Sequence, residues 1–184
     1  MYSKLAEFLA SGKLLDKEAA NWGEKIRLGV AYYTSDKLPP ARYISSMRAI
    51  VFRGNSVIVV TGERGQYYIL PGGTCEKGES PVETLRREVL EETGWTLKNL
   101  HVIGYMHLHH LTPEPDGYEY PYPDFFWPVY MAEADKHYLD SILEDKYVQG
   151  YSYHTEEEIL KMDIEKGQIE LLKVAVGIMQ DELL

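Results

Sequence analysis

The chain has 184 residues, of which 45% are hydrophobic and 26% charged, and its formal net charge at pH 7 is −10. These values are typical of one globular domain with a proper core. No run of 18 apolar residues occurs, so we expect no membrane span, and the acidic balance argues against nonspecific nucleic-acid binding. Cys75 is the single cysteine, which rules out an intrachain disulfide and favours a cytoplasmic location.

Residues 1–40 are predicted to form an extension that precedes the main domain, residues 41–184. Leu5, Phe8 and Leu9 follow helical spacing, and a second helix is predicted around Asp16 to Trp22. Residues 37–40 have the composition of a turn or linker. We expect the extension to pack on the domain within the monomer. Exchange into a homodimer and capping of the substrate are the alternatives.

The segments that follow alternate as β-strands do. Strands are predicted at Met47–Phe52 and Val57–Val60 around a turn at 53–56. Further strands are predicted at 66–70, 97–111, 125–132 and 148–153. A helix with a capping box is predicted to begin at Thr155, and a long amphipathic helix is predicted over 169–183. This order of elements predicts an α/β fold.

Residues 73–95 read GTCEKGESPVETLRREVLEETGW and predict a loop followed by a helix with both ends marked. Ser80 is placed as the N-cap, Pro81 at the first helical position and Glu83 at the third. Gly94 stands just beyond the helix, where a positive φ is usually needed. The expected helix therefore covers residues 81–93.

On this helix three carboxylates share one face. Glu88, Glu91 and Glu92 lie within roughly a third of the helix circumference. Like charges at this spacing repel one another, so the cluster favours a bound cation. Oxygen ligands without a nearby cysteine or histidine cage indicate Mg²⁺ or Mn²⁺ rather than zinc. The alternative is a solvated acidic face on which Arg87 pairs with Glu91.

The spacing of this segment also matches a known pattern, G-x5-E-x7-R-E-U-x-E-E-x-G-U, where U is a bulky aliphatic residue. The one departure is Trp95 at the last position. The chain therefore resembles the Nudix hydrolases over roughly residues 42–184, and the box is the specific part of that resemblance. The positions in register are Gly73, Glu79, Arg87, Glu88, Val89, Glu91, Glu92 and Gly94.

The resemblance implies a Nudix-type α/β/α sandwich with a mixed sheet. It also implies cleavage of a nucleoside diphosphate linked to another moiety, by attack of water on phosphorus. Arg87 would orient a box glutamate and Glu79 would support the site from the loop, while the catalytic base could come from the box or from a later loop, with Glu144 as a candidate. The metal site would comprise Glu88, Glu91, Glu92 and Gly73.

Residues 112–127 form the most unusual segment outside the box, because prolines interrupt a run rich in acids and aromatics. Tyr118, Tyr120 and Phe126 are candidates for stacking on a nucleobase. The alternative is a loop that packs on the sheet or on a second subunit. His107 and His109 alternate to the same face of the preceding strand. This placement would suit metal binding or a phosphate contact. Because no third ligand of matching type is evident from the sequence, we favour a structural or solvent-facing role for both histidines.

The sequence therefore predicts a metal-dependent hydrolase that acts on a nucleoside triphosphate, a nucleotide sugar, ADP-ribose or a similar small molecule. Within enzymes, one further interpretation is a housecleaning enzyme that removes damaged nucleoside triphosphates. The alternative from another class is a catalytically silent Nudix domain that senses nucleotides. Every acidic position of the box is filled, which favours the enzyme.

Overall fold

The computed structural model describes residues 2–23, 25–143 and 148–181. Within these residues a single sheet of eight strands forms the centre of the molecule. The strands are β1 (Lys13–Trp22), β2 (Ile26–Thr34), β3 (Arg48–Arg53), β4 (Ser56–Gly62), β5 (Tyr67–Tyr68), β6 (Trp95–His110), β7 (Asp124–His137) and β8 (Val148–His154). The helices are α1 (Tyr2–Ser11), α2 (Pro81–Thr93), α3 (Glu156–Ile159) and α4 (Lys166–Asp181).

The sheet is mixed. Its strand order is β1-β2-β6-β7-β3-β4-β5, and β8 pairs with β4 outside this path. β3 runs parallel to β7, whereas β2 pairs antiparallel with β6 and β6 with β7. The parallel pair brings the start of β3 beside the middle of β7. The box loop lies along this end of β3, where the N–H of Ala49 donates to the carbonyl oxygen of Pro71 at 3.0 Å.

Helices cover both faces of the sheet. Because successive side chains of a strand point to opposite faces, one strand contributes to the core on each side. On one face Phe125 and Met131 of β7 belong to a core cluster with Leu171 of α4. On the other face Ala132 of β7 belongs to a cluster with Leu85 of α2. α1 packs on this second face, where its Phe8 meets Tyr105 and Phe126. The predicted α/β/α sandwich with a mixed sheet is confirmed.

The helix predicted around Asp16 to Trp22 is wrong, because these residues belong to strand β1. β1 pairs with β2 along its length, from Lys13 opposite Thr34 to Trp22 opposite Ile26. The segment contains several good helix formers, but helix propensity is a weak preference that tertiary pairing overrides. The division of the chain at residue 40 stays a prediction, although β2 hydrogen-bonds into the same sheet as the later strands.

The other predicted elements are found within a few residues of their expected bounds. The hairpin turn lies between β3 and β4, and the long strands β6 and β7 begin slightly earlier than predicted. α4 covers 166–181, and the predicted end of this helix at residue 183 lies outside the described residues. Among the described helices, none is both long and apolar enough to cross a membrane.

Candidate active site

The ends of α2 are fixed by the caps that the sequence predicts. The backbone N–H of Ser80 donates to Glu83 Oε2 at 2.8 Å, and Ser80 Oγ accepts from the N–H of Glu83 at 3.3 Å. Pro81 occupies the first turn, and Gly94 ends the helix with φ of 72° in the left-handed region. These caps set the start and rotation of the helix, and with them the direction of its carboxylates.

Arg87 joins the loop before α2 to the carboxylates on the helix. Its Nε and Nη2 donate to the two oxygens of Glu79 at 2.7 and 2.9 Å. Its Nη1 donates to Glu88 Oε1 at 2.9 Å and to Glu91 Oε2 at 3.3 Å. The hydrogen bonds from Arg87, aided by the Thr84 hydroxyl, lower the pKa of Glu79 to about 2. Arg87 therefore bridges three acidic residues of the box.

Glu88 lies directly against Gly73. A Cβ at Gly73 would lie against the carboxylate of Glu88, so a larger residue there would displace this carboxylate from its present position. Burial raises the pKa of Glu88, although its hydrogen bond from Arg87 acts in the opposite direction. A divalent cation bound to this carboxylate would favour its charged form, so the residue fits the metal role implied by the box.

The loop that carries Gly72 and Gly73 is hydrogen-bonded both to the strand beside it and to α2. Gly72 has φ of 132°, and a Cβ there would lie 2.2 Å from the carbonyl oxygen of Met47. The N–H of Gly72 donates to Glu92 Oε2 at 2.8 Å. The carbonyl oxygen of Gly73 accepts from the N–H of Met47 at 2.9 Å and from Ser46 Oγ at 2.6 Å. The metal role of Gly73 stays a prediction, and this oxygen already accepts two hydrogen bonds.

Glu88, Glu91 and Glu92 are on one side of α2 but do not converge on a point. In the described part of the chain, their oxygens do not form a set of three within 4.8 Å of one another. Arg87 attracts Glu88 and Glu91, whereas Glu92 turns to the N–H of Gly72. Their assignment as metal ligands therefore continues as a proposal.

Arg48 is a residue of this region that the sequence analysis missed. Its guanidinium lies 4.7 Å from the centre of the Trp127 ring. Burial lowers the pKa of Arg48, while the charges of Glu92 and Glu88 raise it. An arginine inside a predicted core strand was the available signal, because arginine is rarely buried without a partner.

Four aromatic residues, which we call the aromatic cluster, adjoin Arg48. The ring of Trp22 lies 5.8 Å from Tyr120, 6.1 Å from Phe125 and 6.3 Å from Trp127. Trp127 Nε1 donates to Ser45 Oγ at 3.0 Å. Trp22 remains 40% exposed, so the cluster keeps one solvent-accessible ring, and its Phe125 and Trp127 belong to the core on the α4 face of the sheet. The cluster comprises Trp22, Tyr120, Phe125 and Trp127.

The three aromatic residues predicted to contact the substrate, Tyr118, Tyr120 and Phe126, lie in three different environments. Tyr120 belongs to the aromatic cluster, and the hydroxyl of Tyr118 hydrogen-bonds to His110 Nε2 at 2.7 Å. Phe126 is fully buried beneath α1, which leaves it no surface for a substrate. Its neighbour Trp127 points to the opposite face of the sheet, and we replace Phe126 by Trp127 as the candidate. Glu144 lies outside the described residues.

Trp95, the departure from the box pattern, has the role expected of an aliphatic residue. It is 9% exposed and belongs to the core cluster beneath α2. Its Nε1 donates to the hydroxyl of Tyr153 at 2.9 Å, so its polar atom is satisfied. The substitution therefore changes the core and leaves the row of carboxylates in place.

The NUDIX domain model matches residues 42–174, which is more than half of the chain, and the chain therefore belongs to the Nudix family. Enzymes of this family generally use divalent metal ions. Over 76 residues the chain is 32% identical to YjhB of Bacillus subtilis (strain 168), provisionally named an ADP-ribose pyrophosphatase. That match covers 41% of this chain and 36% of YjhB, so it spans about a third of that relative's length.

Solved structures support the fold. A Nudix hydrolase from Nitrosomonas europaea aligns with a TM-score of 0.56 and 20% identity, over 73% of this chain and 89% of that one. A point mutant of the Bacillus subtilis pyrophosphohydrolase BsRppH aligns with a TM-score of 0.51 and 19% identity, over 74% and 77% of the two chains. At these identities the similarity shows a common architecture.

Proposed function

We propose that this chain is a divalent-metal-dependent hydrolase that cleaves a pyrophosphate bond in a nucleoside diphosphate derivative. The observation that carries the proposal is the Arg87 network. It links Glu79 of the loop to Glu88 and Glu91 of the helix, beside a loop in which a side chain at Gly72 would meet the backbone of Met47. A solvated acidic face on a helix would not need an arginine that donates to both oxygens of a loop glutamate and also to the helix carboxylates.

The reaction is the hydrolysis of one P–O–P linkage. The oxygen of water forms a bond to one phosphorus, the bond from that phosphorus to the bridging oxygen breaks, and a carboxylate accepts the proton of the water. Mg²⁺ or Mn²⁺ would neutralise the phosphate oxygens and lower the pKa of a water ligand. Arg87 orients Glu88 and Glu91, and the N–H of Gly72 orients Glu92.

The aromatic cluster supports a substrate with a nucleobase. An exposed Trp22 ring next to Tyr120 and Trp127 provides a stacking surface. Arg48 supplies a positive charge between that surface and the box acids. Because YjhB is named for ADP-ribose, a nucleoside diphosphate sugar of this type is the first substrate to test.

The rest of the proposal concerns partners and location. A small nucleotide is the expected partner, without nucleic acid or a membrane, in agreement with the net charge of −10. A cytoplasmic location agrees with the single cysteine. A homodimer formed through residues 1–40 stays a prediction.

The test is phosphate release from purified protein with Mg²⁺ and a coupled phosphatase. The panel should contain ADP-ribose, nucleotide sugars, dinucleoside polyphosphates and nucleoside triphosphates. We expect one class to be hydrolysed, the activity to disappear with EDTA, and Glu92→Gln to abolish it. Two monophosphate products would indicate a diphosphate derivative, whereas inorganic pyrophosphate would indicate a housecleaning enzyme. Nucleotide binding without any turnover would contradict the proposal and favour a sensor.

A further inference from the structure

Two histidines and an aspartate meet where β6 and β7 separate. His109 is paired with Asp124 at the end of the ladder, and His107 lies two residues earlier on the same face. His107 Nε2 and His109 Nδ1 each lie 2.8 Å from Asp124 Oδ1. The three ligand atoms all lie within 4.8 Å of one another. We call this group the His–Asp triad, and it shares no residue with the box.

The surroundings hold two members of the triad firmly and leave the third accessible. The ring of His107 stacks on Phe126 with a centroid distance of 4.8 Å and an interplanar angle of 20°. The side chains of His107 and Asp124 are each 14% exposed, whereas that of His109 is 48% exposed. The group is therefore anchored in packed structure on one side and open on the other.

An open recess of about 420 Å³ adjoins the two imidazoles. Its lining includes Lys17, Gly29 and Ala31 together with both histidines. Ala31 is paired with His107, and Gly29 with His109, across the β2–β6 ladder. Because these two partners carry little or no side chain, the space beside the rings stays open. The recess therefore has room for metal ligands other than protein side chains.

We propose that the His–Asp triad binds one divalent transition-metal ion of the Zn²⁺ type, with its open coordination positions toward the recess. Imidazole nitrogen favours zinc and its neighbours in the transition series over Mg²⁺, which prefers oxygen. Two histidines and a carboxylate, plus an open position, form a recurring ligand set for such ions. The same chain then carries two metal sites of opposite preference, with hard oxygen ligands in the box and mixed ligands here.

The rearrangement needed for binding is small. Zinc bonds of about 2.0–2.2 Å place tetrahedral ligand atoms roughly 3.3–3.5 Å apart. Asp124 Oδ1 is now 2.8 Å from each imidazole nitrogen, so the atoms separate by about half an ångström to admit the ion. In the tautomer that leaves the nitrogen nearest Asp124 without a proton, each imidazole offers that nitrogen to the metal.

The position of the site suggests what the ion does. His109 and Asp124 flank the connection 110–123, which includes Tyr118 and Tyr120. If His109 and Asp124 bound the same ion, that ion would join the two ends of this loop. The loop contributes Tyr120 to the aromatic cluster, so the metal would order a part of the surface on the opposite face of the sheet. This inference stands whether or not the box is catalytic.

The test uses the full chain without an affinity tag, stripped of metal and kept in millimolar Mg²⁺ so that the box carboxylates are occupied. Zn²⁺ is titrated in competition with a chromophoric chelator, and Co²⁺ serves as a spectroscopic probe. We expect one equivalent of zinc, a visible Co²⁺ absorption, and affinity reduced by about 100-fold or more in His109→Ala and in Asp124→Asn. His101→Ala, an exposed histidine of the same strand, is the matched control and should bind as the original chain does. Glu92→Gln should also retain its zinc.

A second readout separates the triad from any other zinc site. Zinc should slow amide hydrogen exchange in residues 110–123 of the original chain and leave the box loop unchanged. Far-UV circular dichroism checks that each variant is folded. Absence of zinc binding by the folded original chain overturns the proposal. Undiminished affinity in both His109→Ala and Asp124→Asn, or protection confined to the box loop, overturns it as well.

Discussion

The box and the His–Asp triad are two clusters of potential metal ligands built in opposite ways. The box acids come from one helix and the loop before it, and Arg87 connects them. The triad comes from two strands, and its members meet because His109 is paired with Asp124 in the β6–β7 ladder. In the box, repulsion between carboxylates is relieved by an arginine. In the triad, one carboxylate accepts hydrogen bonds from two rings.

This difference determines which cluster a sequence can predict. Residues three and four apart on a helix must share a face. The spacing of Glu88, Glu91 and Glu92 was therefore sufficient to predict that they lie on one side of α2. Which residue of β7 lies beside His107 and His109 depends on the register of the two strands. A shift of one residue would turn every side chain of β7 to the other face. Asp124 could not be identified before the pairing was known. A structural or solvent-facing role for the two histidines was accordingly the prediction from the sequence.

The largest expected effect concerns the box carboxylates. Glu91→Gln and Glu92→Gln should each lower kcat by about 10²- to 10³-fold or more, because each removes a charge that acts in the transition state. Both variants should keep their fold, since neither side chain is in a core cluster. Initial rates with the best substrate of the panel measure this, with His101→Ala as the control. Near-normal turnover in both variants would remove these residues from the proposed site.

Gly73→Ala should have the next largest effect. The new Cβ would lie 2.3 Å from Glu88 Oε2, so the carboxylate must move by about an ångström, which can cost about 10²-fold in kcat. Gly177→Ala is the control, since a Cβ there would meet no atom within 4 Å among the described residues outside the backbone of its own helix. That variant should keep full activity, and its unfolding free energy should rise by about 0.5–1 kcal/mol because alanine favours a helix. Equal activity of the two variants would contradict the close contact between Gly73 and Glu88.

Arg87→Lys tests whether the network depends on the planar guanidinium. Lysine keeps the charge but cannot donate to both oxygens of Glu79 and also to Glu88 and Glu91. We expect kcat to fall by about 10- to 100-fold, the range for residues that orient metal ligands. The apparent Mg²⁺ affinity should fall with it, which can be measured from the Mg²⁺ dependence of the rate. Unchanged Mg²⁺ dependence would mean that Arg87 does not position the ligands.

The substrate surface shows where prediction from the sequence failed. Trp22 lies in a segment with helix-forming residues, yet β1 pairs with β2 and brings its ring to Trp127, about a hundred residues later in the chain. Arg48 reaches the same place through the parallel pairing of β3 with β7. Such contacts depend on the order of strands in the sheet. Local spacing contains no information about that order, so only Tyr120 of this surface was predicted.

Trp22→Ala tests whether the N-terminal segment contributes to substrate binding. Loss of one stacking surface should cost about 1–3 kcal/mol of binding, by analogy with bases that stack on aromatic side chains. KM should therefore rise by about 5-fold or more, with kcat changed much less because the box is untouched. Steady-state kinetics separate the two constants. Tyr67→Ala removes an aromatic ring of similar exposure, 39% against 40%, outside the aromatic cluster, and should leave KM unchanged. A fall in kcat alone for Trp22→Ala would contradict a binding role.

The smallest effect compares two helices that begin in the same way. Ser80 of α2 and Thr155 of α3 each form a capping box with the glutamate three residues later. Ser80→Ala and Thr155→Ala should each lower the unfolding free energy by about 1 kcal/mol, measured by urea denaturation. Only Ser80→Ala should also reduce turnover, because α2 carries the carboxylates and α3 does not.

The hydrogen bonds at each cap lower the pKa of Glu83 and Glu158. The stability that these two carboxylates contribute is thus present above the ordinary glutamate pKa and is lost as the pH falls through their lowered values. A loss of activity in Thr155→Ala equal to that in Ser80→Ala would show that the effect arises from global stability rather than from the orientation of α2.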